Sequence, residues 1–399
     1  MESYLRRGYI EFLTLSPVFI GSGKELNKKE YIYDRNSGSI YLVDFRKMCE
    51  GLQSRRLLEA FESYLMEDVE ATNRRQGGYP RQNRELIHFL RDNRVPEAAY
   101  KNWYIGSVKV ADSSMNMHSA KPIQMFMRDA QGRPYVPGSS FKGMLRTILE
   151  TRYFLEHRDE AEELADSIRT EVEDTVREAR KINRTRFLSK EDSMIDVKSM
   201  HREMFEVYKN NPEKSLADQN NDMLRGLLVG DSEPISLDDM CICQKIDLTL
   251  RGEQKPLNLM RECIKPGIVI RIPITIDTSV CPFTMKDILA AMEEYYKNYI
   301  SQFSSHFTGY PPTKGNKTTF YLGGGAGYLS KTVTYGIMRG SDVVKTTSEI
   351  IDQTLPPRVR GEHKHHLDLR KGVSPHVMKC TLYKGSLCQM GACCVKRYV

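Results

Sequence analysis

Four glycines fall within five residues at Gly323-Gly324-Gly325-Ala326-Gly327, directly after the strand-like run Thr319-Phe320-Tyr321. Neither a helix nor a strand continues through such a run, so the chain must stop and turn there. Glycine accepts positive φ and lets other groups approach the backbone, so successive N–H groups can face phosphate oxygens. Lys331 and Thr332 close the stretch and add a cation and a hydroxyl. A nucleotide-binding P-loop is the first rival and fails on spacing. That motif needs Gly directly before Lys-Ser/Thr, and here Tyr328, Leu329 and Ser330 intervene. A plain turning loop remains the competing reading.

A second landmark is Pro137-Gly138-Ser139-Ser140-Phe141-Lys142-Gly143-Met144-Leu145-Arg146. Pro137-Gly138 reads as a turn, and Ser139 or Ser140 is placed to cap a helix that follows. Lys142 and Arg146 are four apart and share a face, while Phe141, Leu145 and Ile148 or Leu149 form a separate apolar stripe. A helix start with free N–H groups, two hydroxyls and two cations suits a phosphate. An ordinary capped amphipathic helix with a solvated basic edge is the alternative.

Around these landmarks the chain alternates strands and helices. Residues 8–20 read as a first strand ending at a small turn, Gly21-Ser22-Gly23-Lys24. A hairpin follows, with Tyr31 to Asp34 facing Ile40 to Asp44 across Asn36-Ser37-Gly38. Residues 45–105 and 156–222 read as charged helical insertions, with disorder expected around Asn210 to Asn221. Strands are predicted at 224–232, 241–250 and 268–277, a helix at about 284–303, and a last strand before the glycine loop. With the insertions set aside the order is β-α-β-β-α-β, an α+β, ferredoxin-like and RRM-like plan. The expected organisation is a core over 1–340, with insertions at 45–110 and 156–222, and a basic extension over 341–399. Two RRM-like halves, 1–223 and 224–399, are the alternative. The extension reads as turn-rich, with its histidines on a mobile loop.

Length and charge narrow the class. A chain of 399 residues has room for a large core, and no apolar run approaches the roughly 18 residues of a membrane helix. The start, Met1-Glu2-Ser3-Tyr4, lacks the layout of a secretory signal, so the cytoplasm is the expected compartment. A net charge of +7 permits a polyanionic partner without demanding one. Nine cysteines without a C-x-x-C pair argue against a zinc ribbon and for reduced thiols, with Cys241 and Cys243 packing on one face of a strand. His363, His365 and His366 invite a metal, but no carboxylate framework is visible beside them, so neither metal nor cofactor is expected.

Ile20-Gly21-Ser22-Gly23, the Pro137-to-Arg146 run and the glycine loop together resemble the RAMP superfamily of CRISPR-associated RNA-binding proteins. Lys29 to Asp34, Val229-Gly230-Asp231-Ser232, Leu322 to Lys331 and Ser374 to Lys379 are similar to one branch, the fifth-subunit family of type III-A Csm effector complexes. The resemblance implies a non-catalytic subunit that caps the filament near the crRNA 3′ end. It also implies a part in crRNA 3′-end maturation, through host nucleases. Its implied partners are crRNA and target RNA, the neighbouring backbone subunit and the small helical subunit. The RNA-binding candidates are Gly21, Ser22, Gly23 and Lys24; Ser139, Ser140, Lys142 and Arg146; and Gly323, Gly324, Gly325, Gly327 and Lys331. Holding RNA by its backbone fits a guide whose sequence varies and whose bases must stay free.

Two other classes compete. A ribonuclease would need an acid or base, for which Asp34, Asp112, His118 and the 363–366 histidines are candidates by residue type alone. A protein-interaction scaffold would make no RNA contact.

Overall fold

A computed structural model describes residues 4–73, 85–114, 121–181, 222–310, 313 and 315–399. The first strand, β1 (Leu5–Thr14), turns Ile10, Phe12 and Thr14 inward and leaves the alternate side more open. This is the period-2 signature of a sheet with one covered face. The remaining strands are β2 (Gly21–Leu26), β3 (Tyr31–Asp34), β4 (Ser39–Val43), β5 (Tyr104–Val110), β6 (Ile123–Phe126) and β7 (Leu227–Val229). They continue with β8 (Met240–Thr249), β9 (Gln254–Ile264), β10 (Val269–Asp277), β11 (Thr319–Tyr321), β12 (Val377–Tyr383), β13 (Ser386–Gln389) and β14 (Ala392–Tyr398).

Five strands make the first sheet in the order β11-β14-β1-β10-β7. Two helices cover it, Gly138–Glu156 and Met285–Gln302. The second is started by a capping box in which the Thr284 N–H donates to Asp287 Oδ2 at 2.8 Å and the Asp287 N–H to Thr284 Oγ1 at 3.3 Å. The first is pinned by its apolar stripe. The ring of Phe141 stacks on Phe12 at 5.5 Å and meets Phe320 edge-on at 5.8 Å, all three fully buried.

The ferredoxin-like plan is present. β11, the strand before the glycine loop, is the outermost of the sheet. β14 lies beside β1, antiparallel to it, with Phe12 opposite Val395 and Leu13 opposite Cys394. Length and burial explain this order. β11 has three residues, whereas β14 offers Ala392, Cys393, Cys394 and Val395, all buried, as an interior strand requires. Residues 341–399 are therefore woven into the structure. They form helices Gly340–Thr354 and Pro357–His363 and the last three strands, with β12 paired to β8.

The nine-stranded second sheet runs β2-β6-β9-β8-β5-β4-β3, with the β12–β13 hairpin joined at β8. Here too the reading of the first strand needs correcting. β1 ends at Thr14, residues 15–20 cross between sheets, and Gly21–Leu26 is a strand with a bulge. The hairpin β3–β4 forms as expected. Helices between Phe45 and Lys101 build a core of their own around Met48, Leu52, Phe61, Phe89 and Trp103. Helix Arg158–Lys181 occupies the start of the second insertion, and the expected disorder near Asn210 to Asn221 lies outside the described residues. All nine cysteines are free, and Cys241 and Cys243 lie side by side, Sγ to Sγ 3.7 Å. Among the described residues no helix is long and apolar enough to cross a membrane.

Candidate nucleic-acid interface

Phe19, in the crossing between the sheets, joins two of the three glycine motifs. Its carbonyl accepts the Gly324 N–H at 2.6 Å, and a Cβ on Gly323, whose φ is +85°, would lie 2.1 Å from that oxygen. On the other side, a Cβ on Gly21 would meet the Phe19 ring at 2.9 Å. Gly323 is therefore required by the close approach of the Phe19 backbone, while Gly21 and Gly324 pack tightly against the Phe19 ring. The loop is fixed further by the Leu322 N–H donating to Gly391 O at 2.8 Å and by the Ser330 hydroxyl donating to Gly327 O at 2.8 Å. Gly327, at φ +104°, faces open space.

Above the Phe19 ring lies a residue that sequence reasoning missed. The Arg261 guanidinium, from β9, sits 5.0 Å from the ring centroid and donates through Nε to Gln124 Oε1 at 3.1 Å. Its Nη1 is buried without a hydrogen-bond partner. A Cβ on Gly325 would come within 2.0 Å of that nitrogen, so the third glycine makes room for the arginine. Burial lowers the Arg261 pKa. Lys331 is exposed, yet loss of water around its ammonium lowers its pKa, and the Arg261 charge adds to the effect. Lys245 on β8 is shifted the same way by burial and then by Lys379. Lys379 is paired with both oxygens of Asp247 at 2.9 and 3.0 Å. Cations thus crowd the glycine loop in excess of carboxylates. A buried charge without a counter-ion costs stability and favours an anion. Only the chain fold could find this site, because Arg261 belongs to a strand with no motif around it.

The Gly-Ser-Gly motif lies on β2, the outer strand of the second sheet. Ser22 Oγ donates to Met125 O at 3.2 Å, and the Lys24 N–H donates to Ser22 Oγ at 3.3 Å. Gly23, at φ +80°, and Lys24 are exposed.

The Pro137-to-Arg146 run lies apart from this site, against β7 at the opposite edge of the first sheet. Neither serine caps its helix. Pro137 is the capping residue, and the Gly138 N–H donates to Asp231 Oδ1 at 2.8 Å. A Cβ on Gly138 would lie 2.3 Å from Val229 O, which is why glycine stands there. One helix-start N–H is therefore already satisfied by a carboxylate. Arg146 pairs with Asp222 and lies 3.8 Å from Glu150, a fully buried carboxyl whose pKa burial raises to about 8. Ser139 is exposed, and Lys142 is half-buried, its pKa lowered by burial and partly restored by Asp222.

The ribonuclease candidates are placed separately. Asp34 accepts from the Asn36 N–H at 3.0 Å and the Ser37 hydroxyl at 2.7 Å, holding the β3–β4 turn. Asp112 accepts from the Ser114 N–H at 2.8 Å and from the Gly385 N–H, tying down the β12–β13 turn. Their pKa values are lowered, opposite to what a general acid at neutral pH needs. His118 lies outside the described residues. The 363–366 histidines, expected on a mobile loop, are divided: His365 is buried against Asp368, while His366 is 3.9 Å from Asp352.

The family model of the RAMP superfamily matches residues 11–309. The curated CRISPR system Cms protein Csm5 of Streptococcus thermophilus is 28% identical over 337 residues, covering 84% of this chain and 82% of the relative. The crystal structure of T. onnurineus Csm5 superposes with a TM-score of 0.54 at 17% identity, over 96% of this chain and all of that one. A chain in the cryo-EM structure of a Csm-crRNA-target RNA ternary complex of a type III-A CRISPR-Cas system superposes with a TM-score of 0.52 at 17% identity, over 98% of this chain.

Proposed function

Since the chain belongs to the RAMP superfamily, we propose that it is an RNA-binding subunit of a type III-A CRISPR effector complex, gripping crRNA by its backbone. The observation that carries this reading is the unpartnered, buried Nη1 of Arg261 beside the glycine loop and Lys331. A phosphate oxygen satisfies that nitrogen and offsets the crowded charge at once. No base-edge reader is needed, and none is needed for a guide of variable sequence.

The similarity to Csm5 proteins supports a finer placement: the crRNA 3′-end side of the filament, next to a backbone RAMP subunit and the small helical subunit, with target RNA alongside. There the subunit shields the guide and sets where host nucleases stop trimming, without cutting RNA itself, in the cytoplasm. Ser139 and Lys142, at the other edge of the first sheet, form a second and weaker backbone contact.

The test compares crRNA length in complexes assembled with wild-type chain, with Arg261→Ala/Lys331→Ala, and without this subunit, beside purified chain incubated with labelled RNA. Altered 3′ ends in the variant, with no cleavage by the chain alone, support the proposal. Autonomous cleavage replaces it with a ribonuclease. Unchanged crRNA together with lost assembly replaces it with a scaffold.

A further inference from the structure

The segment between His363 and Val377 makes an inward knot with no counterpart in the RNA-facing site. Lys364 (φ 54°) and Gly372 (φ 76°) are both left-handed and fold the chain around a turn, His365–Leu367, and a short helix, Asp368–Lys371. The outcome is a fully buried carboxylate, Asp368, between two imidazoles from different elements. Its Oδ2 accepts from His365 Nδ1 at 2.9 Å and from the Ser374 hydroxyl at 2.8 Å; its Oδ1 meets His376 Nδ1 at 2.5 Å and Lys371 Nζ at 3.7 Å. His365 is 4% exposed and Ser374 fully buried.

We propose that His365, Asp368 and His376 hold one divalent transition-metal ion of the zinc class. One donor atom from each residue lies within 4.8 Å of the others. Two imidazole nitrogens and one carboxylate oxygen suit zinc, cobalt or nickel rather than magnesium or calcium, which prefer all-oxygen shells. Neither Nε2 has a protein partner among the described residues, so each ring can carry its proton there and turn an Nδ1 lone pair inward. A tetrahedral ion with bonds of about 2.0–2.1 Å needs donors about 3.3 Å apart, so on binding the two imidazole–carboxylate contacts open and the donors spread furthest, up to 4.8 Å, draw in. Lys371 opposes the ion by its charge and lowers the affinity. The ion is structural: it fastens residues 364–376 to β12, whose Lys379 binds Asp247 under the cation patch.

The test uses the full chain, stripped with chelating resin and titrated with Zn²⁺ alone, then with Co²⁺ as a spectroscopic probe. The expected result is one Zn²⁺ per chain and the d–d bands of tetrahedral Co²⁺ without a thiolate charge-transfer band. His376→Gln and Asp368→Asn should each weaken binding at least about tenfold, His363→Gln and His366→Gln should not, and Lys371→Met should tighten it. His376, partly exposed, decides if Asp368→Asn does not fold, with circular dichroism as the folding control. Absent binding, binding unmoved by His376→Gln, or a thiolate band placing the ion on cysteine would each overturn the proposal, leaving Asp368 a plain hydrogen-bond acceptor.

Discussion

At the scale of single residues, the glycines divide into those that let the chain pack and those that leave room for a partner. Gly323 is fixed by a backbone oxygen, Gly325 by a guanidinium, and Gly327 by nothing in the chain itself. Gly325→Val should displace Arg261 and weaken RNA binding about tenfold in a filter-binding titration, while Gly327→Ala should act only through its positive φ. Arg261→Ala separates function from stability. It should lower RNA affinity and reduce the salt slope by about one, yet leave the melting temperature unchanged or higher, because an uncompensated buried charge has gone. A melting temperature well below wild type would contradict this. Glu150 makes a prediction in pH. Burial holds its carboxyl protonated to about 8, against 4.5 when unfolded, so the folded state binds the extra proton between those values. Its stabilisation is complete below the unfolded value and is lost as pH rises through the folded one. Glu150→Gln should therefore flatten the melting temperature across that window and melt above wild type on its alkaline side. Equal slopes for the two proteins would remove the assignment.

At the scale of elements, the start of helix Gly138–Glu156 is set by Asp231 and by the tight fit of Gly138 under Val229. Asp231→Ala should cost about 1 kcal/mol in chemical denaturation, the usual worth of an N-terminal cap, and Gly138→Ala more, because the obstacle is backbone. Much at this scale was legible in the sequence. The helix Met285–Gln302 announced itself by its apolar spacing, the β3–β4 hairpin by its turn, and β10 by its alternation. What was illegible had non-local causes. The cap of the Pro-Gly-Ser-Ser helix comes from a residue 93 positions away. Arg261 acquires its role only when β9 passes under the glycine loop. Asp368 and His376 flank Gly372 and Ser374, ordinary turn residues in sequence, and meet only because the chain reverses between them.

At the scale of the whole molecule, both sheets take strands from both ends of the sequence: β1 lies between β14 and β10, and β8 pairs with β5, β9 and β12. We propose that residues 1–223 and 224–399 are not separable halves, and that the division into a core with helical insertions is the useful one. Urea unfolding followed by Trp103 fluorescence and by far-ultraviolet dichroism should give coincident transitions for the sheets, and expressing either half alone should yield insoluble chain. Two soluble halves would refute this. The ion pair of Glu11 with Arg397, residues 386 apart, ties β1 to β14, and β14 lies between β1 and the outer strand β11. On the ribosome, β1 therefore emerges before either neighbour, and even after β10 has joined it the edge that faces β14 stays bare until residue 392 has been added. A growing chain carries that adhesive edge while every residue between the two strands is made. Something must occupy it meanwhile, or copies made side by side will pair with one another, so the same strand that closes the sheet also sets how crowded its translation can safely be.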